Sequence, residues 1–191
     1  MKRIARQNIL VALFLLISLE GIGSDPILKK YQQTLDKWTR NARQFSVDNL
    51  ELRMQWHATY FSPEFRQARR ERLAHRQEWS PEEIQQATKK DEADQKLYDD
   101  FFIDIYAGSN VWNKIGTDTT RWRLFLETEG VRVKSLGFQL IPVFEEERGL
   151  YPYLDKWSKA YLIRFPKITK EGKPFTLKMA GVPGRSVLEW K

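Results

Sequence analysis

The chain has 191 residues, 41% of them hydrophobic and 30% charged, with a formal net charge of +7 and no cysteine. Such a length and balance give one folded domain with a real core and exclude a disordered chain, a disulfide-stapled miniprotein and a polytopic membrane protein. Seven tryptophans within 13% aromatic residues are many for this length, so the core is expected to be ring-rich.

Lys2, Arg3 and Arg6 precede an apolar run from Ile9 to Leu19, and Gly21-Ile22-Gly23-Ser24 supplies small residues after it. A basic start, a short apolar stretch and small residues are the three parts of a secretory signal peptide, here assigned to 1–23. The run is too short to cross a bilayer; the competing readings are an uncleaved anchor and a buried helix. Losing Lys2, Arg3, Arg6 and Glu20 takes the formal charge from +7 to +5. A thiol-free exported protein must hold itself together by packing, which suits a bacterial periplasm, or secretion. It has no cysteine to carry a lipid, so membrane contact is expected to be peripheral at most.

Residues 24–191 read as one domain. Asp25-Pro26 opens a helix, and Leu28, Tyr31, Leu35, Trp38 and Ala42 recur along it at helical spacing. Leu50 to Tyr60 then alternates apolar and polar residues as a half-buried strand does. Ser62-Pro63 and Ser80-Pro81 are two further helix starts, so 63–97 is expected to be a helical hairpin inserted after the first strand. Phe101 to Ala107 is the next strand. Arg121 to Pro142 reads as a β-hairpin at the centre of a sheet, turning at Glu129-Gly130 and returning from Val131 to Ile141. Glu145 to Glu147 reads as a solvated loop. Strands around Ala160 to Phe165, Phe175 to Met179 and Val187 to Trp190 complete seven. The predicted fold is mainly β with α: an antiparallel β-sandwich, Ig-like or an open barrel, with an N-terminal amphipathic helix and the helical insertion.

Residue types for chemistry are scarce. Only His57 and His75 are histidines, on a strand's wet face and on a charged helix, so no metal site is expected. There is no G-x-S-x-G, Gly-rich phosphate loop or dinucleotide fingerprint, and neither a cofactor nor a nucleic-acid partner is expected. Asp104, with Asp99 and Asp100, could form a carboxylate pair acting on a glycosidic bond. The simpler reading leaves Asp104 wet or pairs it with Arg121, Arg123 or Arg164.

Two groups are candidates for binding. Trp112, Tyr151, Tyr153 and Trp157 lie at strand ends, where flat rings can stack on a sugar or grip a protein, or simply cap the core. Arg69, Arg72 and Arg76 fall on one helical stripe. They either pair across the hairpin with Glu82, Glu83, Asp91 or Asp94, or form a comb for an anionic polymer or lipid headgroups.

The succession Ala58-Thr59-Tyr60-Phe61-Ser62-Pro63-Glu64-Phe65, the charged insert, Phe101 to Ala107, the Trp122 strand and Tyr151-Pro152-Tyr153…Trp157…Tyr161 resembles uncharacterised exported proteins of Gram-negative bacteria. The resemblance implies a compartment and no site, and this chain departs from the lipoprotein-like members in lacking their cysteine. The expected function is a non-enzymatic envelope accessory or assembly protein that binds another envelope protein. The alternatives are a glycan- or peptidoglycan-binding module using the loop rings and, third, an enzyme acting on polysaccharide.

Overall fold

A computed structural model describes residues 25–45, 52–108, 114–115, 122–181 and 184–191. The proposed signal peptide, Leu50 and Trp112 lie outside them. The described residues form four helices and nine strands. In chain order they are α1 (Pro26–Trp38), β1 (Thr39–Phe45), β2 (Leu52–Tyr60), α2 (Pro63–Gln77), α3 (Pro81–Leu97), β3 (Tyr98–Ala107), β4 (Trp122–Thr128), β5 (Val131–Lys134), β6 (Gly137–Ile141), α4 (Glu145–Leu150), β7 (Lys159–Pro166), β8 (Phe175–Gly181) and β9 (Gly184–Trp190).

All strand pairing is antiparallel, in a five-stranded sheet ordered β1-β2-β3-β7-β6 and a four-stranded sheet ordered β5-β4-β8-β9. The predicted alternation determines which side chains are inside. Met54, Trp56, Phe101, Ile103, Ile105 and Ile163 of the larger sheet share one apolar cluster with Trp122, Leu124, Leu126, Leu177 and Trp190 of the smaller. The other face of the larger sheet is covered by α1, α2 and the segment after α4. There Tyr31, Leu35, Phe61, Phe65, Phe102 and Tyr151 form a second cluster.

The helices begin where their caps dictate. Asp25 accepts the Ile27 N–H at 2.9 Å, and Ser62 Oγ accepts that of Phe65 at 3.0 Å. Ser80 and Glu83 bond reciprocally as a capping box. α2 buries Phe65, Arg66, Ala68 and Leu73, whereas α3 buries no residue.

Four expectations need correction. The first helix stops at Trp38 instead of running to Ala42, because Thr39 to Phe45 pairs with β2 and so satisfies its backbone groups in a ladder. The two central helices therefore follow the second strand. The return strand from Val131 to Ile141 is split. Val133 and Phe138 both pack on the shared core, yet they are an odd number of residues apart, so a single pleated strand would put them on opposite faces. The break at Ser135-Leu136 resets that alternation, leaving β5 as an edge of the small sheet and β6 as an edge of the large one. Finally, Glu145 to Glu147 opens α4 instead of a loop, with Glu147 accepting the Phe144 N–H at 3.0 Å.

Candidate functional site

The ring candidates separate by burial. Tyr151 is 2% exposed and stacks on Phe102 at 3.7 Å between centroids, 3° from parallel. Tyr153 stacks on His57 at 4.8 Å, with its hydroxyl 2.7 Å from Thr59 Oγ1. Trp157 faces solvent at 65% exposure, in a turn where Asp155 accepts the Trp157 and Ser158 N–H groups. Among the described residues, then, the Tyr-Pro-Tyr rings lie on the sheet and Trp157 alone projects outward.

The arginine stripe does not form one outward row. Arg72 pairs with Asp25 at 2.8 Å, and Arg76 reaches over Gly149, where an added Cβ would lie 2.7 Å from its Nη1. Arg69 turns inward, its guanidinium 5.7 Å from the Phe61 ring centroid. The expected pairing between the two helices does occur, but through neighbours of the stripe: Arg66 and Arg70 both reach Asp91, at 3.6 and 2.5 Å. Arg66 is 6% exposed, adjoining Phe65 on the buried flank of α2. That adjacency is the sequence signal for its role.

Arg69 lines a cavity of about 320 Å³ bounded by α2, α3, α4 and the outer face of the large sheet. Its apolar wall includes Phe61, Leu73, Trp79, Ile141 and Leu150. Its polar wall is built on Asp100, which accepts Arg66 Nη2 at 2.7 Å and Arg164 Nε and Nη2 at 2.8 and 2.9 Å. Arg69 and the Tyr151 hydroxyl lie against each other behind that wall, with Arg69 Nε and the hydroxyl oxygen sealed from solvent.

The other carboxylates are also committed. Asp104 is not wet, and among the described residues it pairs with no arginine. It is 3% exposed and lies 2.7 Å from His57 Nδ1, because β2–β3 pairing sets the two residues opposite each other. Asp99 is enclosed by Lys167 Nζ at 2.8 Å, the Thr169 N–H at 2.9 Å and the Tyr60 hydroxyl at 2.9 Å. His75 is exposed on α2.

A different surface was not legible beforehand. Among the described residues β6 pairs only with β7, and its sequence Gly-Phe-Gln-Leu-Ile has no charge. Leu136 and Leu140 are 60% and 58% exposed along it, and Phe144 is 67% exposed beyond its end. Ile141 pairs with Ala160, so Phe144 and Trp157, each three residues past that pair, leave the same end of the ladder. The opposite flank is closed: Arg40 Nε donates to Glu189 O at 3.0 Å, and Trp190 Nε1 donates to Trp38 O at 3.0 Å. The sequence matches no known protein-family model and no curated protein.

Proposed function

We propose that this chain is a non-enzymatic accessory protein of a bacterial envelope, exported by its signal peptide and folded as a β-sandwich carrying a helical insertion. In this reading it binds an extended segment of another envelope protein along β6. The observation that carries the proposal is an uncharged sheet edge flanked by exposed Leu136, Leu140, Phe144 and Trp157. Such an edge offers unpaired backbone groups, and folded proteins ordinarily blunt edges with charge or proline. Strand addition would use those groups for affinity and the apolar side chains for selectivity. The chain leads into β6 from β5, the edge of the smaller sheet, where Arg132 pairs with Glu127 and exposed Lys134 favours a partner strand with an acidic residue at one end and disfavours a second copy of this cationic chain. A stacking platform for glycan has weaker support, since Tyr151 and Tyr153 are packed against the sheet.

The test uses the mature chain and a synthetic peptide alternating leucine or valine with polar residues and ending in glutamates. Saturable binding that slows hydrogen exchange at residues 137–141, and is lost in a Gln139→Pro variant with unchanged circular dichroism, supports the reading. No binding by the peptide or by envelope extract, or self-association through β6 by sizing and exchange, overturns it.

A further inference from the structure

Of the four helices among the described residues, α3 alone buries no residue. The side chains it turns to the cavity beside α2 are Ala87, Lys90, Asp91 and Asp94, and none is a large apolar group. Its bulkier apolar residues, Ile84 and Leu97, are 38% and 60% exposed. What fixes the helix is charge. Asp91 pairs with Arg66 and Arg70 of α2, and Asp94 pairs with Arg164 of β7 at 3.2 Å. Among the described residues one backbone bond, from the Lys167 N–H to Leu97 O at 3.0 Å, joins α3 to another element. Its caps are its own: Ser80 and Glu83 at the start, and the Tyr98 N–H donating to Asp94 O at the end.

Releasing the helix strands little charge. Arg66 and Arg164 each hold a second carboxylate, Asp100, which belongs to β3 and stays behind. Arg70 loses Asp91, but its side chain is already 17% exposed and gains water once the helix is away. The cavity of about 320 Å³ beneath α3 also means that the dispersion contacts of a close-packed helix are missing there. Segments with few buried apolar contacts open at low free energy while the rest of a fold persists. We propose that α3 is a latched lid: it lifts from the outer face of the large sheet by parting its ion pairs, while α2 and both sheets stay folded. Lifting turns the cavity into an open groove walled by Phe61, Leu73 and Leu150 and by the guanidiniums of Arg66, Arg70 and Arg164. A helix of 17 residues is marginal in water by itself, so the lifted segment frays. This motion is separate from the β6 edge and does not depend on strand addition.

Hydrogen exchange of the mature protein, followed residue by residue, tests this. Amides 85–97 are expected to exchange about 100-fold faster, or more, than those of 67–73 in α2 and 101–106 in β3. Replacing Asp91→Asn and Asp94→Asn together undoes the latch, and since the two residue types have similar helix propensity the effect falls on docking. Exchange in α3 is then expected to quicken by about tenfold, with residues 67–73 and both sheets unchanged. Glu92→Gln, on the exposed side of the helix, is the control and is expected to leave exchange as it was. Ala87→Leu adds apolar bulk facing the cavity and is expected to slow α3 by about tenfold. Protection in α3 equal to that in α2 overturns the proposal, as does exchange unchanged in the double variant, equal quickening in the control, or no slowing by Ala87→Leu. So does a double variant whose sheets lose protection together with α3, since the helix would then belong to the cooperative core.

Discussion

The Asp104 carboxylate takes two hydrogen bonds from one residue: it lies 2.7 Å from His57 Nδ1 and accepts the His57 backbone N–H at 2.9 Å. Burial under the segment before β7 pushes its carboxyl above the usual carboxylate range, and the bonds from His57, with a contribution from Ser158, pull against that without winning. A group whose pKa is raised on folding favours the fold below its unfolded pKa and loses that contribution as pH climbs through the folded value. Asp104→Asn keeps an oxygen for the His57 N–H and carries no charge. Its melting temperature relative to the parent is therefore expected to rise between pH 4 and pH 8. A difference that is flat or falls over that interval would show the ionised carboxylate to be favourable there.

Asp99 behaves in the opposite sense. It too is desolvated, but bonds from Lys167 and Thr169 outweigh that cost and hold its carboxyl below the usual range. Its contribution is present above the unfolded pKa, about 4, and is lost as pH falls through the lowered folded value. Asp99→Asn strands the Lys167 ammonium and should cost about 3 kcal/mol at pH 7, measured by urea denaturation. The cost should shrink on acidification below pH 4.

Arg66 and Arg164 share Asp100 from opposite sides, one on α2 and one on β7. Arg164 also lies over Tyr98, 4.1 Å from its ring centroid. Removing either guanidinium leaves the other to balance the same buried carboxylate. Arg66→Met and Arg164→Met are thus expected to be non-additive, with a coupling of about 1–3 kcal/mol in a double-mutant cycle. Additive losses would separate the two pairs.

The β4–β5 turn puts Glu129 at φ 46° and Gly130 at φ 80°. Gly130→Ala meets no neighbouring atom and should still cost about 1–2 kcal/mol, because the penalty is in the backbone. Glu129→Asn should stabilise, since asparagine tolerates the left-handed region better and the exposed pair to Lys170 contributes little. Thermal melts of both variants check the pair of signs.

Strands and helix starts were readable from the sequence because each rests on neighbours along the chain. Trp56, Ile103 and Leu126 announce their buried faces by alternation, and Ser62-Pro63 and Ser80-Pro81 cap helices that begin where expected. Features set by distant segments were hidden. Nothing near Trp38 says that Thr39 will leave the helix to pair with Thr59. Alternation placed His57 and Asp104 on the wet faces of their strands, and only the fold lays Tyr153 over them. Arg69 and Tyr151 are far apart in sequence, so their shared cavity wall was invisible, as was the solitary outward position of Trp157.

The bent ribbon from Val131 to Ile141 hems the small sheet with its first half and the large sheet with its second. Pulling on it would load both at once, and neither could peel away while the other kept its half of the hem. A guest segment laid along its whole length would act as a zip across the seam. Amides far from that seam, in β2 and β8 alike, would then exchange more slowly with the guest in place.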